Sequence, residues 1–207
     1  MKHFHYLLLC VCISCAYNAK QDLIANYESK RLEINQLYGY VNNITTDDKA
    51  FAITFENNKK IASFDVSIKR IDPQTGHSSI TNISADGNYN SYESNKNIDI
   101  NSKNVDNLLS VLGWTRKELN TLKQKLDNAN CISVENGNLE NGQIGNPMTI
   151  GYKSVGFGFY FAEYKIFRQS LSDSLINKYL KNKNNDACKY FFYKDNVVLG
   201  YCGGFGP

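Results

Sequence analysis

Long apolar runs are scarce in this sequence. The one unbroken example, Tyr6 to Ile13, is far shorter than the roughly 20 residues a helix needs to cross a bilayer. With no second such stretch, the rest of the chain reads as soluble. Net charge is also small. A formal value of +3 from 23 basic and 20 acidic residues leaves no basis for a nucleic-acid partner or a polybasic hold on a membrane. Histidine is nearly absent beyond the start, where only His77 remains, so any Ser–His or Cys–His mechanism there must use that residue. Phosphate-cradling loops are missing too. Gly156-Phe157-Gly158 and Gly200 to Gly206 fit neither the dinucleotide nor the P-loop pattern. No repeat is visible and no cofactor is expected.

The first residues have a positional logic. Lys2, with His3 and His5, supplies a short positive segment before the apolar run, and small residues follow it. That is the pattern of a removable export signal over residues 1–14. Cys12-Ile13-Ser14-Cys15 resembles the bacterial lipobox, in which the cysteine is acylated and becomes the mature N-terminus. This implies lipidation of Cys15 and a membrane anchor whose hold grows with each buried methylene. Plain secretion by cleavage after Ala16 is the alternative.

Removing such a signal leaves Cys131, Cys188 and Cys202 besides Cys15. An exported chain meets an oxidising compartment, where two of these three can pair in three ways. A three-residue hairpin loop, Lys194-Asp195-Asn196, puts Tyr193 opposite Val197, with Asn196 as the left-handed residue. Cys188 then faces Cys202. A two-residue loop at Asp195-Asn196 puts Lys189 opposite Cys202 instead. Zinc binding by His77 and these cysteines lacks the close paired spacing of known sites, and no metal is expected.

Residues 15–45 read as a tether and an amphipathic helix, with Ile24, Tyr27, Ile34, Tyr38 and Val41 on one face. Alternation at Phe51, Ile53 and Phe55, at Phe64, Val66 and Ile68, and over residues 77–83 predicts a small β-meander. The stretch 84–104 reads as a loop with one short strand near Ile98. Val105, Leu108, Leu109 and Leu112 share a helical face that Gly113 ends. Thr115 and Glu118 form a capping box for a second helix, and Trp114 and Leu119 are spaced as a hydrophobic staple. Strands are then predicted at residues 131–135, 148–153, 157–167, 188–193 and 197–202, with a helix after Ser172. Aromatics on both faces of residues 157–167 mark a central, doubly buried strand. The sum is an α+β fold with a mainly antiparallel sheet and three to four helices, in one domain over residues 46–207 or in two lobes, 46–100 and 101–207.

Catalytic patterns are weak. Ser154 sits in Gly151-Tyr152-Lys153-Ser154-Val155-Gly156, which misses the spacing of a nucleophile elbow. No catalytic residue is assigned. From about Leu108 to Pro207 the chain resembles small exported lipoproteins of the Bacteroidetes. The resemblance rests on Gly113-Trp114-Thr115, Asn130-Cys131-Ile132-Ser133, Ile150-Gly151-Tyr152, Tyr164 to Phe167 and the glycine-rich end. It implies the cell envelope and carries no activity. The expected function is therefore a non-enzymatic lipoprotein, periplasmic or surface-exposed, that binds protein or glycan. The alternatives are an exported hydrolase using Ser154 or a carboxylate pair with His77 as base, and a structural part of a surface complex.

Overall fold

A computed structural model describes residues 19–76, 78–87, 95–137, 147–155, 160–174, 176–177, 180 and 188–202. The expected signal, Cys15 and His77 lie outside the described residues.

Helix α1 (Ala19–Ile44) packs Leu23, Tyr27, Ile34, Leu37 and Val41 into the core. The apolar face differs from the expected one at two positions. Leu23 and Leu37 are fully buried, whereas Ile24 and Tyr38 only pack against the rim. The buried positions 23, 27, 34, 37 and 41 fall on one heptad-spaced stripe, which continues across the irregular residue Lys30 (φ −120°, ψ 17°).

Strands β1 (Lys49–Phe55), β2 (Lys60–Ile71) and β3 (Ser78–Ile83) form the meander, and β4 (Lys96–Asp99) returns to pair with β2. Helix α2 (Lys103–Leu112) is capped at Ser102, whose side chain accepts from Val105 N, and ends at Gly113 in the left-handed conformation (φ 76°). Helix α3 (Arg116–Asn128) starts with the predicted reciprocal Thr115–Glu118 box and buries Leu119, Leu122 and Leu126. Trp114 between them stands edge-on to Phe51 at 4.7 Å and donates its indole N–H to Ile44 O at 2.7 Å. This ties the helical pair to the end of α1.

Five strands follow: β5 (Ser133–Glu135), β6 (Met148–Val155), β7 (Tyr160–Ile166), β8 (Cys188–Lys194) and β9 (Val197–Cys202). All strands join one antiparallel sheet in the order β3-β2-β1-β5-β6-β7-β9-β8, with β4 beside β2. The fold is thus α+β with an antiparallel sheet. Because β1 pairs with both β2 and β5, the stretches 46–100 and 101–207 share that sheet.

The three helices cover one face. Phe51, Ile53, Phe64, Val134, Ile150, Tyr164 and Leu199 point into this main core. A smaller cluster of Phe167, Leu171 and Val198, with Ile176, Leu180, Tyr190 and Phe192 packed against it, covers the opposite face at the β8–β9 end. Asp173, Ser174, Ile176, Asn177 and Leu180 are helical there, with Ile176 N donating to Ser172 O at 2.9 Å.

The β8–β9 hairpin corrects the predicted loop. Lys194 pairs with Val197, so the loop has two residues, and the left-handed one is Asp195 (φ 52°) rather than Asn196. Cys188 nevertheless lies opposite Cys202, because a register shift between Phe192 and Lys194 absorbs Tyr193 as a bulge.

Candidate functional site

Residues opposite one another on neighbouring strands share a face. On the side away from the three helices, one row runs Asp65–Ala52–Glu135–Thr149–Lys165–Val198. Its apolar end is buried by the small second cluster. Its other end holds a recess of about 110 Å³ lined by Ala50, Phe51, Ala52, Asp65, Ser67, Glu135 and Gly137.

Ala52 pairs with Asp65 on one side and Glu135 on the other. The two acidic residues therefore stand two strand spacings apart, about 9.6 Å between Cα atoms, across a methyl-sized floor. Asp65 reaches solvent, yet the protein around its carboxyl displaces enough water to raise its pKa above the ordinary aspartate value. A hydrogen bond with Asn95 and the charge of Lys96 oppose that rise. Ser67 is buried in the wall and donates to Asn82 Oδ1 at 2.7 Å.

Beside the recess lies a polar cluster on the same face. Lys165 Nζ is 3.1 Å from Glu163 Oε1 and 3.1 Å from Thr149 Oγ1, and both charged side chains are mostly buried. Lys165 also lies 5.8 Å from the centre of the Tyr190 ring, which itself rests on Gly200. The aromatic strand is central, as expected, but among its described residues the second face carries Glu163 and Lys165. Tyr164 and Ile166 point into the main core. Strict alternation, not double burial, governs this part of β7.

A second recess of about 300 Å³ sits at the C-terminal end of α1, lined by Tyr38, Asn42, Thr45, Asp47, Asn136 and Arg168. Its buried wall is structural. Asn136 accepts from Phe51 N at 3.0 Å and donates to Lys49 O at 3.0 Å, extending the β1–β5 ladder through a side chain. Arg168 pairs with Asp47 at 3.4 Å at its rim.

Of the residues weighed for the hydrolase alternative, His77 lies outside the described residues. Ser154 lies on β6 and pairs with Phe161. Gly76 and Ser78, the neighbours of His77, flank the start of edge strand β3. Four strand spacings, about 19 Å along the sheet, separate β3 from β6. Cys131 is buried, its thiol donates to Ala129 O at 3.3 Å, and burial pushes its pKa up to about 12. It is poorly suited to act as a nucleophile or thiolate ligand. Among the described residues, no three His, Cys, Asp or Glu side chains group as metal ligands.

Asp65 and Glu135 escaped sequence reasoning as named residues. Each is an outward acid at an alternating strand position, a signal shared with ordinary solvated carboxylates. Their meeting depends on the pairing of β1 with β5. No family model matches the chain, and no curated protein or solved structure matches it either.

Proposed function

We propose that this chain is an exported cell-envelope lipoprotein, anchored through a lipid on Cys15, whose open sheet face binds a protein or glycan. The recess between Asp65 and Glu135 carries the binding reading. Ala50, Ala52 and Gly137 let another molecule approach the backbone closely, as small residues do. Carboxylates accept hydrogen bonds and cannot donate when ionised, so the recess selects ligands rich in donors: sugar hydroxyls, peptide N–H groups or an ammonium. The anchoring reading is supported by Lys2, the apolar run to Ile13, and Ser14 before Cys15. Among the described residues no helix is long and apolar enough to cross a membrane, so in this reading the lipid supplies the attachment.

Glycan and peptide arrays probed with the purified protein test the binding reading, with titration calorimetry on each hit. Saturable binding weakened by Asp65→Asn combined with Glu135→Gln is the expected result. Ligands that bind the double variant unchanged place the site elsewhere and defeat it.

A hydrolase is the second reading, favoured by one observation. Asp65 has a raised pKa and faces a second carboxyl across Ala52, an arrangement suited to general acid and base roles. Turnover of chromogenic glycosides, abolished by Asp65→Asn alone, would put catalysis in place of simple binding.

A further inference from the structure

Three strand ends and one helix end meet around the larger recess. The pairings of Ala52 with Glu135, Glu135 with Thr149 and Thr149 with Lys165 put the start of β1, the end of β5 and the end of β7 at the same end of the sheet. The last turns of α1 bring Tyr38, Asn42 and Thr45 there. Asp47 comes from the turn before β1, Asn136 directly follows β5, and Arg168 follows β7. Each support is tied down. The Trp114 indole holds the Ile44 carbonyl, Lys49 N donates to Thr46 O at 3.1 Å, and Phe167 N donates to Asn196 O at 2.9 Å. Walls fixed before a ligand arrives lower the cost of binding it.

Asn136 is only 7 % exposed. A side-chain amide carries two N–H donors and a carbonyl with two lone pairs. Asn136 gives one hydrogen to Lys49 O and accepts once, from Phe51 N. Among the described residues nothing takes its second hydrogen, and the residue forms part of the recess wall. A buried donor calls for an acceptor oxygen at that place. Around it, no hydrogen bond among the described residues engages the Tyr38 hydroxyl or the Asn42 amide. Thr45 donates to Val41 O at 2.8 Å and keeps its acceptor lone pairs.

Charge decides the class of ligand. The lining holds one cation and one acid, Arg168 and Asp47, 3.4 Å apart. Asp48 is next in the chain, and its hydrogen bond with Thr46 holds its carboxyl below the ordinary aspartate range. The C-terminal end of α1 adds partial negative charge. An anion such as phosphate meets these negative groups, and a cation meets Arg168. A neutral molecule escapes both, and mixed donors and acceptors suit hydroxyls, which give and accept hydrogen bonds. The Asp47–Arg168 pair is exposed and therefore weakly held, so neighbouring hydroxyls can enter between its members at little cost. Tyr38, partly buried against the core, offers apolar surface to C–H groups. A volume of about 300 Å³ equals that of about ten waters, enough for one sugar ring.

We propose that the recess between the end of α1 and the start of β1 is a carbohydrate site for one neutral pyranose unit. Asn136 donates its second amide hydrogen to a sugar oxygen, and Asp47 and Arg168 grip a pair of neighbouring hydroxyls. The site is separate from the Asp65–Glu135 recess, because Glu135 and Asn136 face opposite sides of the sheet. It holds whether or not Cys15 is acylated.

Nuclear magnetic resonance of the purified, nitrogen-15-labelled full chain tests this. Backbone and side-chain amides are followed while the methyl glycosides of glucose, galactose, mannose, fucose and N-acetylglucosamine, and then inorganic phosphate, are titrated in separately. At least one glycoside is expected to give saturable shifts centred on Asn42, Thr45, Asp47, Asn136 and Arg168, with phosphate giving none. Asn42→Ala combined with Arg168→Ala, at two exposed positions, should weaken that binding at least about tenfold. Should the double variant fail to fold, Asn42→Ala alone is expected to weaken it. No saturable shifts with any glycoside, shifts centred elsewhere, or binding that survives the substitutions unchanged overturn the site. Shifts here with phosphate and with no glycoside overturn the ligand class.

Discussion

The side-chain amide of Asn26 donates to the hydroxyl of Tyr164 at 2.9 Å, joining α1 to the middle of the sheet. Tyr164 passes its own hydrogen to Leu23 O at 3.3 Å. Asn26 also donates to Ala129 O at 3.3 Å and accepts from Asn130 Nδ2 at 3.0 Å. One buried polar junction thus fixes α1, β7 and the end of α3 together. Asn26 spends both amide hydrogens and Tyr164 its hydroxyl hydrogen inside the protein, so losing one strands a partner of the other. Tyr164→Phe is expected to cost about 1–2 kcal/mol, and Asn26→Ala rather more. The double variant should lose less than the sum, because the two share a bond. Urea unfolding midpoints check this, and strict additivity would show that the junction does not act as a unit.

Gly200 is needed for space rather than for backbone freedom. A Cβ there would lie 2.6 Å from Cε1 of Tyr190 and 3.2 Å from Cγ of Glu163. Gly200→Ala must therefore move an aromatic ring off the sheet, a strain of about 1–3 kcal/mol. At Gly151 the added carbon would meet Ser133 Oγ at 2.1 Å but Ser133 Cβ only at 3.4 Å. Turning one serine rotamer relieves that contact, so Gly151→Ala should be milder. Thermal unfolding of both variants, with Tyr190→Ala added to Gly200→Ala, distinguishes them. Recovery in the double variant identifies the ring as the obstacle.

The parts of this fold that short-range chemistry decides are readable from the residues themselves. Gly113 and Thr115 mark a helix end and a helix start because a left-handed residue and a capping side chain are chosen within a few positions. The meander follows from strict alternation at Phe51, Ile53 and Phe55. What escapes depends on distant partners. Ala52 becomes the floor of a recess only because β5 arrives beside β1 from about 80 residues away. Leu23 is buried and its neighbour Ile24 is at the rim, a choice between adjacent apolar residues that the sheet beneath α1 makes. The Tyr193 bulge is a further case. A two-residue loop reads as the wrong cysteine register until one residue is set aside.

Two aspartates should respond to pH in opposite senses. Asp65 has a raised pKa, chiefly from lost hydration, so its ionised form favours the unfolded chain. Its contribution is favourable below the unfolded-state pKa and declines as pH rises through the higher folded value. Asp106 is lowered, chiefly by its hydrogen bond from Arg116 Nε at 2.7 Å. Its contribution is present above the ordinary carboxylate range and is lost as pH falls. At pH near 7, Asp65→Asn should therefore raise the unfolding midpoint and Asp106→Asn should lower it. As pH falls, the Asp65 difference should vanish first, whereas the Asp106 difference should persist to lower pH, because its folded carboxyl protonates below the ordinary aspartate range. A stabilised Asp106→Asn protein at neutral pH would contradict the assignment.

The register of the last hairpin makes a covalent prediction. Cys188 and Cys202 are direct partners on adjacent strands. Directly opposed residues on antiparallel strands have Cα atoms about 4.5–5.5 Å apart, within the range a disulfide spans. Cys131 competes poorly, because its thiol is buried and pushed up to about 12, leaving little thiolate to attack. With an exchanging disulfide oxidant such as oxidised glutathione, the two hairpin thiols become one S–S bond, and the oxidant is released as two thiols. Closing a loop of about 15 residues should add about 3 kcal/mol of stability in the chain-entropy account. In protein oxidised in this way and denatured without reductant, only Cys131 among the three should react with iodoacetamide. Peptide mapping should find residues 188 and 202 cross-linked, and reduction should lower the unfolding midpoint. Alkylation at all three positions, or a bridge that includes Cys131, would show that the strand register does not govern the pairing.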